Sequence, residues 1–422
     1  MTLRIYGILS VVLIALTPAA QTAPKKPAPD ARAIHFSALI VDTHADTPQY
    51  FNKQFNLASG ARADGRHFDL ETAREGNVGA EFMSIWPDAK RYKGRYARRA
   101  LDLIDATLYQ VAKNPGGAMM AFGSADILKA RAASPRKLAV LMGVEGGHAI
   151  ENDLGMLRNF YRLGVRYMTL TWSNTNEWAD SSGDLNAEEV KHHNGLTEFG
   201  EEVVREMNRL GMIVDISHVS DRTFYRTLTI TRAPVIASHS SARAINTHAR
   251  NMSDDMLRAV AVNGGVVMVN FYSAFIDEDF RKGHAALKKE RDAAEAALRA
   301  RLADADDVTY YRESNRLHTD FAARVPRPPL KSLIDHINHI AKVAGVDHVG
   351  LGSDFDGVDS LPQGIDSAAD LPKITAALVE RGYNREQIHK ILGGNFMRVL
   401  REVERVSGEI KAEQAPKIGS KK

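Results

Sequence analysis

Short runs of apolar residues, each ending at a polar or ionisable position, recur along the chain with stretches of helical spacing between them. Eight such runs carry strand character: 39–42, 80–86, 138–144, 165–171, 212–216, 234–237, 265–270 and 346–352. Runs of this length without a helical period read as strands of a parallel sheet buried on both faces. Between most of them apolar positions repeat at three and four, as in 96–112, 196–210, 255–261 and 330–344, which predicts amphipathic helices. Strand–helix alternation repeated eight times predicts an α/β fold, a (β/α)8 TIM-type barrel rather than an open doubly wound sheet.

One interval breaks the rhythm. Residues 277–327 are charged and Ala-rich, a composition with high helix propensity, and Pro326-Arg-Pro-Pro329 ends them before helix 330–344. A solvated helical insertion before the last strand is expected, with a lid or a dimer contact beside the site as the alternative. At the N-terminus Arg4 precedes the apolar run 8–16, and small residues follow to Ala23. That layout predicts a signal peptide over 1–23, and hence an exported protein, periplasmic or secreted. The other reading is an uncleaved membrane anchor, for which the run is shorter than the ~20 residues that a span needs. Residues 24–34, rich in Pro and Lys, are expected as a linker, 35–407 as the barrel, and 408–422 as a frayed polar tail. The chain has no cysteine, so neither a disulfide nor a lipidated thiol contributes. A net charge of +3 over 422 residues, with basic residues scattered, gives no footprint for nucleic acid.

The chemistry lies where the apolar runs end. The first run leads into His44-Ala-Asp46, two groups that the strand period of two turns to one side. The third leads into Glu145 in a glycine-flanked segment, the fifth into His218, the sixth into His239, and the last into Asp354. In barrels of this type the carboxyl ends of the strands form the active site. Imidazole and carboxylate without thiol suit Zn²⁺, Mn²⁺ or Co²⁺, and zinc is the default outside the cytoplasm. The donors are too many for one tetrahedral ion with an open position. Two ions sharing a carboxylate fit them better.

These residues carry a family resemblance. His44-Ala-Asp46, Gly143-Val-Glu-Gly-Gly-His148, Asp215-Ile-Ser-His218, Ser238-His-Ser-Ser241 with Arg250-Asn, Gly352-Ser-Asp-Phe-Asp-Gly357 and Gly393-Gly-Asn-Phe396 resemble the motifs of the membrane (renal) dipeptidases, and they come in that order. The resemblance runs from about Leu39 to Leu400. It implies a dinuclear zinc peptidase, with two Zn²⁺ per chain, that cleaves dipeptides, including those with a C-terminal D-residue. By the same resemblance His44 and Asp46 would hold one zinc, His218 and His239 the other, and Glu145 would bridge them. Asp354 would carry the proton from the attacking water to the leaving amine, and Arg250 would bind the substrate carboxylate. A homodimer is a further expectation, with 277–327 as its candidate contact.

One position departs from the family pattern. Trp172 stands where a histidine would bind and polarise the substrate carbonyl. An indole donates one hydrogen bond but cannot be a cation. Trp172 is therefore expected as a wall of the substrate pocket or as a single donor, and His192 and His193 are the nearby alternatives for the missing imidazole. Two further readings follow: a metal-dependent deacylase of N-acyl amino acids, and a catalytically silent metal-holding barrel. The presence of Asp354 speaks against the latter. His148 is expected to orient its loop and Asp356 to cap a turn, and the remaining histidines are assigned no function.

Overall fold

The structure is a computed structural model that describes Thr2 and residues 30–414. Its strands, in chain order, are β1 (Ile40–Ala45), β2 (Val78–Ile85), β3 (Ala118–Met120), β4 (Leu138–Glu145), β5 (Val165–Thr169), β6 (Ile213–Asp215), β7 (Ile236–Ala237), β8 (Val266–Val269) and β9 (Val349–Leu351). All pairings between them are parallel. Neighbours run β1–β2–β4–β5–β6–β7–β8–β9, and β9 pairs back to β1 through Asp42 and Leu351, so eight strands close a ring. Helices fill the connections. The expected (β/α)8 barrel is what forms.

The strand period divides the core into two layers. Val41, Phe82, Leu141, Tyr167, Ile213, Ile236, Val266 and Met268 pack together inside the barrel, joined by Phe396 from helix Asn395–Gln414. The alternate residues Met83, Ile85, Val140, Met142 and Val144 face the helices. Each fully buried aliphatic or aromatic side chain contributes roughly 1.5–3 kcal/mol relative to its exposed state. Helix boundaries follow local chemistry. The Thr197 hydroxyl accepts from the Gly200 amide to start Glu198–Leu210, and Gly211, at φ 89°, ends it in the left-handed region.

Several expectations change at their edges. The first strand runs through His44 to Ala45 rather than ending at Asp42. The last expected strand splits into a 3-10 turn, Val346–His348, and β9. A short strand not expected, β3, pairs with Leu138–Val140, and β5 takes over beside β4 from Met142. The linker does not reach residue 34, because helix Ala31–Ser37 starts after Asp30, whose carboxylate accepts from the Arg32 and Ala33 amides. The tail does not begin at 408 as a frayed end. Helix Asn395–Gln414 continues through it, with Ile410 buried and Lys411 Nζ donating to the Leu210 carbonyl at 3.1 Å. The expected signal peptide, residues 24–29 of the linker and 415–422 of the tail lie outside the described residues. Among the described residues no helix is long and apolar enough to cross a membrane.

The insertion folds as three helices, Glu278–Ala286, Lys288–Arg301 and Asp307–Ala322. It is not merely a solvated excursion. Asp307 accepts from Arg91 at 3.2 Å and Arg99 at 3.1 Å, and the Tyr311 ring meets Tyr50 edge-on at 5.1 Å. The third helix thus sits on the loops that follow β1 and β2, on the side of the barrel where the strand-end carboxylates and histidines converge.

Candidate metal centre

Six groups converge at the carboxyl ends of the strands. Glu145, the last residue of β4, stands in the middle: its Oε2 lies 3.4 Å from His44 Nε2, and its Oε1 lies 3.0 Å from His218 Nε2 and 3.5 Å from His239 Nε2. One carboxylate oxygen therefore faces His44 and the other faces His218 and His239, and the two sides adjoin, since the His44 and His239 ring centroids lie 3.9 Å apart. On the His44 side, Asp46 Oδ2 is 3.4 Å and Asp354 Oδ1 is 4.0 Å from His44 Nε2. On the other side the two imidazoles face each other, His218 Nε2 to His239 Nε2 at 2.9 Å. All six side chains are buried. Donor atoms of His44, Glu145 and His239, and of His44, Asp46 and Asp354, lie close enough to share an ion.

The second ring nitrogens show how the histidines are presented. The Tyr167 hydroxyl donates to the Thr43 carbonyl at 3.1 Å, so at 2.8 Å it accepts from His44 Nδ1. Ser238 donates to Asp215 Oδ2 at 2.6 Å, and its oxygen is left to accept from His239 Nδ1 at 2.8 Å. Both arrangements direct a lone pair of Nε2 into the centre, the way a protein prepares an imidazole ligand. Two features fit cations there. His44 Nε2 and Asp46 Oδ1 are buried with no hydrogen-bond partner, and the two facing nitrogens at 2.9 Å, which in the metal-free chain can share a proton, converge on one point as two ligands of an ion would.

The charges agree. Burial opposes ionisation of Glu145, yet His44, His218 and His239 outweigh it and hold its carboxyl well below the usual range. Burial lowers His218 to about 3 and His239 well below its ordinary value, so both rings are neutral donors. Burial also raises Asp46, and it raises Asp354 to about 7, the Asp46 and Glu145 charges adding to the effect. A buried cluster of three carboxylates is a site built for positive ions.

Arg250 lies in the loop after β7. It is buried, donating to the Ser240 hydroxyl at 3.3 Å and to the His239 carbonyl at 3.1 Å. Its Nε has no partner, and among the described residues it forms no ion pair. Burial lowers its pKa to about 10, so it stays charged at neutral pH. A buried, unpaired guanidinium of this kind suits an incoming carboxylate.

Trp172 follows β5. Its ring lies 4.8 Å from that of Trp86 and 6.4 Å from that of His218, which makes it a wall beside the histidine pair. His193 does not replace the missing imidazole, since its Nε2 pairs with the Asn176 carbonyl at 2.8 Å, and His192 lies near Asp180 at 3.8 Å. His148 holds the Pro87 carbonyl at 2.8 Å, the loop role expected of it. Asp356 does not cap a turn as expected: its carboxylate accepts from the His67 amide at 2.6 Å and the Thr47 hydroxyl at 2.7 Å, on loops far away in the chain, and so ties those loops to the turn after β9. Sequence reasoning missed Tyr167 and also Asn270, whose amide donates to Asp354 Oδ2 at 2.9 Å. Asn270 did end an expected strand, so its position was available as a signal.

Fold and site together define a barrel metallohydrolase. Over residues 29–414 the chain matches the family described as membrane dipeptidase, peptidase family M19. It is 35% identical over 398 residues to an uncharacterized dipeptidase of Schizosaccharomyces pombe, covering 90% of this chain and 84% of that protein. To dipeptidase 3 of Homo sapiens it is 33% identical over 389 residues, covering 91% of this chain and 69% of that protein. The probable dipeptidase PvdM of Pseudomonas aeruginosa superposes with a TM-score of 0.70 at 25% identity, over 89% of this chain and 98% of its own. A Rhodobacter sphaeroides metallopeptidase liganded with a phosphinate mimic of L-Ala-D-Ala gives a TM-score of 0.65 at 23% identity, over 87% and 99% of the two chains. The chain belongs to the membrane dipeptidase family and is a metal-dependent dipeptidase.

Proposed function

We propose that this enzyme holds two Zn²⁺ ions and hydrolyses dipeptides, including those with a C-terminal D-residue. The division of the Glu145 carboxylate between His44 on one side and His218 and His239 on the other carries this reading. In it, His44 and Asp46 would hold one ion, His218 and His239 the other, and Glu145 would serve both. Two such ions supply a water of lowered pKa and polarise the scissile carbonyl.

The remaining steps belong to the chain. Arg250 takes the carboxylate of the C-terminal residue, a group that L- and D-residues present alike. Arg250 holds the His239 carbonyl at 3.1 Å, so a carboxylate bound there would bring the scissile bond beside the metal ligands. Asp354, raised to about 7 by burial and its neighbouring carboxylates, is suited both to accept the proton of the attacking water and to return it to the leaving amine. Asn270 holds Asp354 Oδ2 at 2.9 Å and leaves Oδ1 facing the His44 side. Trp172 and Trp86 form an apolar wall and supply no cation to the oxyanion.

The experiment is amino-acid release from a panel of L,L- and L,D-dipeptides by the purified zinc-loaded protein, with metal content measured on the same sample. Release with two equivalents of zinc supports the reading; release with one equivalent, or silence with two, overturns it. A second reading, deacylation of N-acyl amino acids, draws on the Trp86–Trp172 wall, where an acyl chain would lie, and on Arg250, which fits either carboxylate. N-acyl amino acids in the same panel separate the two. We also propose export, from the leader-like pattern of residues 1–23, tested by the N-terminus of the protein recovered from its native host.

A further inference from the structure

Asp354 sits on a backbone that does not hold itself. Asp354 and Asp356 have φ of 63° and 65°, a left-handed conformation uncommon for residues with a side chain, although aspartate is among those that tolerate it. The turn is also crowded: a Cβ at Gly357 would fall 2.1 Å from Asp46 Oδ2 and 2.5 Å from Asp354 Oδ1. The barrel's own loops supply several holds, among them Asn270 on the Asp354 carboxylate and the Asp46 amide donating to the Phe355 carbonyl at 2.8 Å. The Asp354 amide donates to the His44 carbonyl at 3.0 Å, and the Asp356 amide donates to His67 Nδ1 at 2.9 Å. The Asp356 carboxylate accepts from the His67 amide and the Thr47 hydroxyl.

A further hold comes from the insertion. The Asp356 carbonyl accepts from the Tyr311 hydroxyl at 2.8 Å and from Asn315 Nδ2 at 3.3 Å. Both lie on helix Asp307–Ala322, four residues apart and therefore on one face. That face is braced in turn. Asn315 Nδ2 also donates to the Tyr50 hydroxyl at 2.5 Å, and Asp307 pairs with Arg91 and Arg99. Arg99 reaches on to Gln49 Oε1 at 3.0 Å, in the turn just after Asp46.

We infer that Tyr311 and Asn315 are positioning residues for Asp354: the insertion pins the Asp356 carbonyl and so fixes where the Asp354 carboxylate stands. This rests on the proposed role of Asp354. Proton transfer needs its oxygens within hydrogen-bond reach of the water, and a displacement of about 1 Å can cost on the order of 10²-fold in rate.

The test uses the full-length zinc-loaded protein. Tyr311→Phe keeps the ring against Tyr50 and removes only the hydroxyl, and Tyr311→Phe combined with Asn315→Ala removes both donors. The expected result is a fall in kcat of about 10–100-fold in the double variant, with KM within about threefold of wild type and metal content unchanged. Arg312→Ala, exposed on the same helix, serves as the control and is expected to match wild type. Wild-type kcat in the double variant, a rise confined to KM, or loss of metal in step with activity each overturns the inference. Turnover by Asp354→Asn would overturn the reading of Asp354 itself; an inactive Asp354→Asn beside a fully active double variant overturns the brace alone.

Discussion

Tyr167 stands where a side chain on Gly143 would be: a Cβ built at Gly143 falls 2.0 Å from the Tyr167 ring. The two residues are register partners on β4 and β5. The absence of a side chain at 143 is what lets the Tyr167 hydroxyl reach His44 Nδ1. Gly143→Ala is expected to push the ring away, at a cost of about 1–3 kcal/mol for an overpacked interior. It should also weaken metal binding, since the His44 ring loses its support. Tyr167→Phe keeps the packing and removes only the hydroxyl. Metal affinity is expected to fall about 10–100-fold, measured by competition with a chromogenic chelator, while Tm of the chelated, metal-free protein changes little.

The pH dependence of kcat/KM should report Asp354. As a general base it must be ionised, so activity rises with pH through its pKa. Burial and the neighbouring carboxylates put that value at about 7 in the metal-free chain, and bound cations pull it lower. Asn270 donates to the ionised form and so favours it. Asn270→Ala is therefore expected to move the acidic limb upward, and Asp354→Asn to abolish turnover by about 10²–10⁴-fold with both metals kept. A limb that stays in place in Asn270→Ala would assign it to another group.

The sequence and the structure part company along physical lines. The eight apolar runs and the histidines and carboxylates at their ends were legible because burial and the strand period act on neighbours in the chain. Tyr167 was not, and Asn270 was passed over although it ended an expected strand. A tyrosine in the middle of an apolar run reads as packing, and only barrel closure brings its hydroxyl to a histidine more than a hundred residues away. The insertion misled by composition. Its Ala-rich segment does form helix, but the helix that matters is the next one, whose docking depends on Asp307 meeting Arg91 and Arg99 in space. The charged 408–414 segment looked frayed for the same reason, although Ile410 is buried beneath it.

Arg250 should be read through KM. Its guanidinium is already oriented by Ser240 and the His239 carbonyl, so little ordering is left for the substrate to induce. Arg250→Lys retains a charge but loses the two-pronged geometry. KM for a dipeptide is expected to rise about 10–100-fold, with a smaller change in kcat. A dipeptide amide, which lacks the carboxylate, should be a poor substrate for the wild type and should lose little further in the variant. Equal losses on both substrates would place Arg250 outside the carboxylate contact.

The pair His218 and His239 leads to a prediction about metal removal. Their Nε2 atoms are 2.9 Å apart, each buried and each with a pKa far below that of a free imidazole. In the unfolded chain both rings take a proton near 6.5, whereas in the fold burial keeps His218 neutral down to about 3 and holds His239 well below its ordinary value. A depressed folded pKa means that the pair's contribution to stability is present above about 6.5 and is lost as pH falls toward 3. Bound metal strengthens that dependence, because protons compete with the ion for the same lone pairs. Metal occupancy at a fixed free zinc concentration is therefore expected to fall as pH is lowered from 7 to 5, and the Tm difference between loaded and chelated protein should shrink with it. Replacing His239 by Gln removes one competing proton site and one ligand, so this difference should be smaller at pH 7 and flatter with pH. The measurement is a pair of thermal melts, with and without chelator, at each pH. A difference as large and as pH-dependent in His239→Gln as in wild type would show that the histidine pair does not hold the ion.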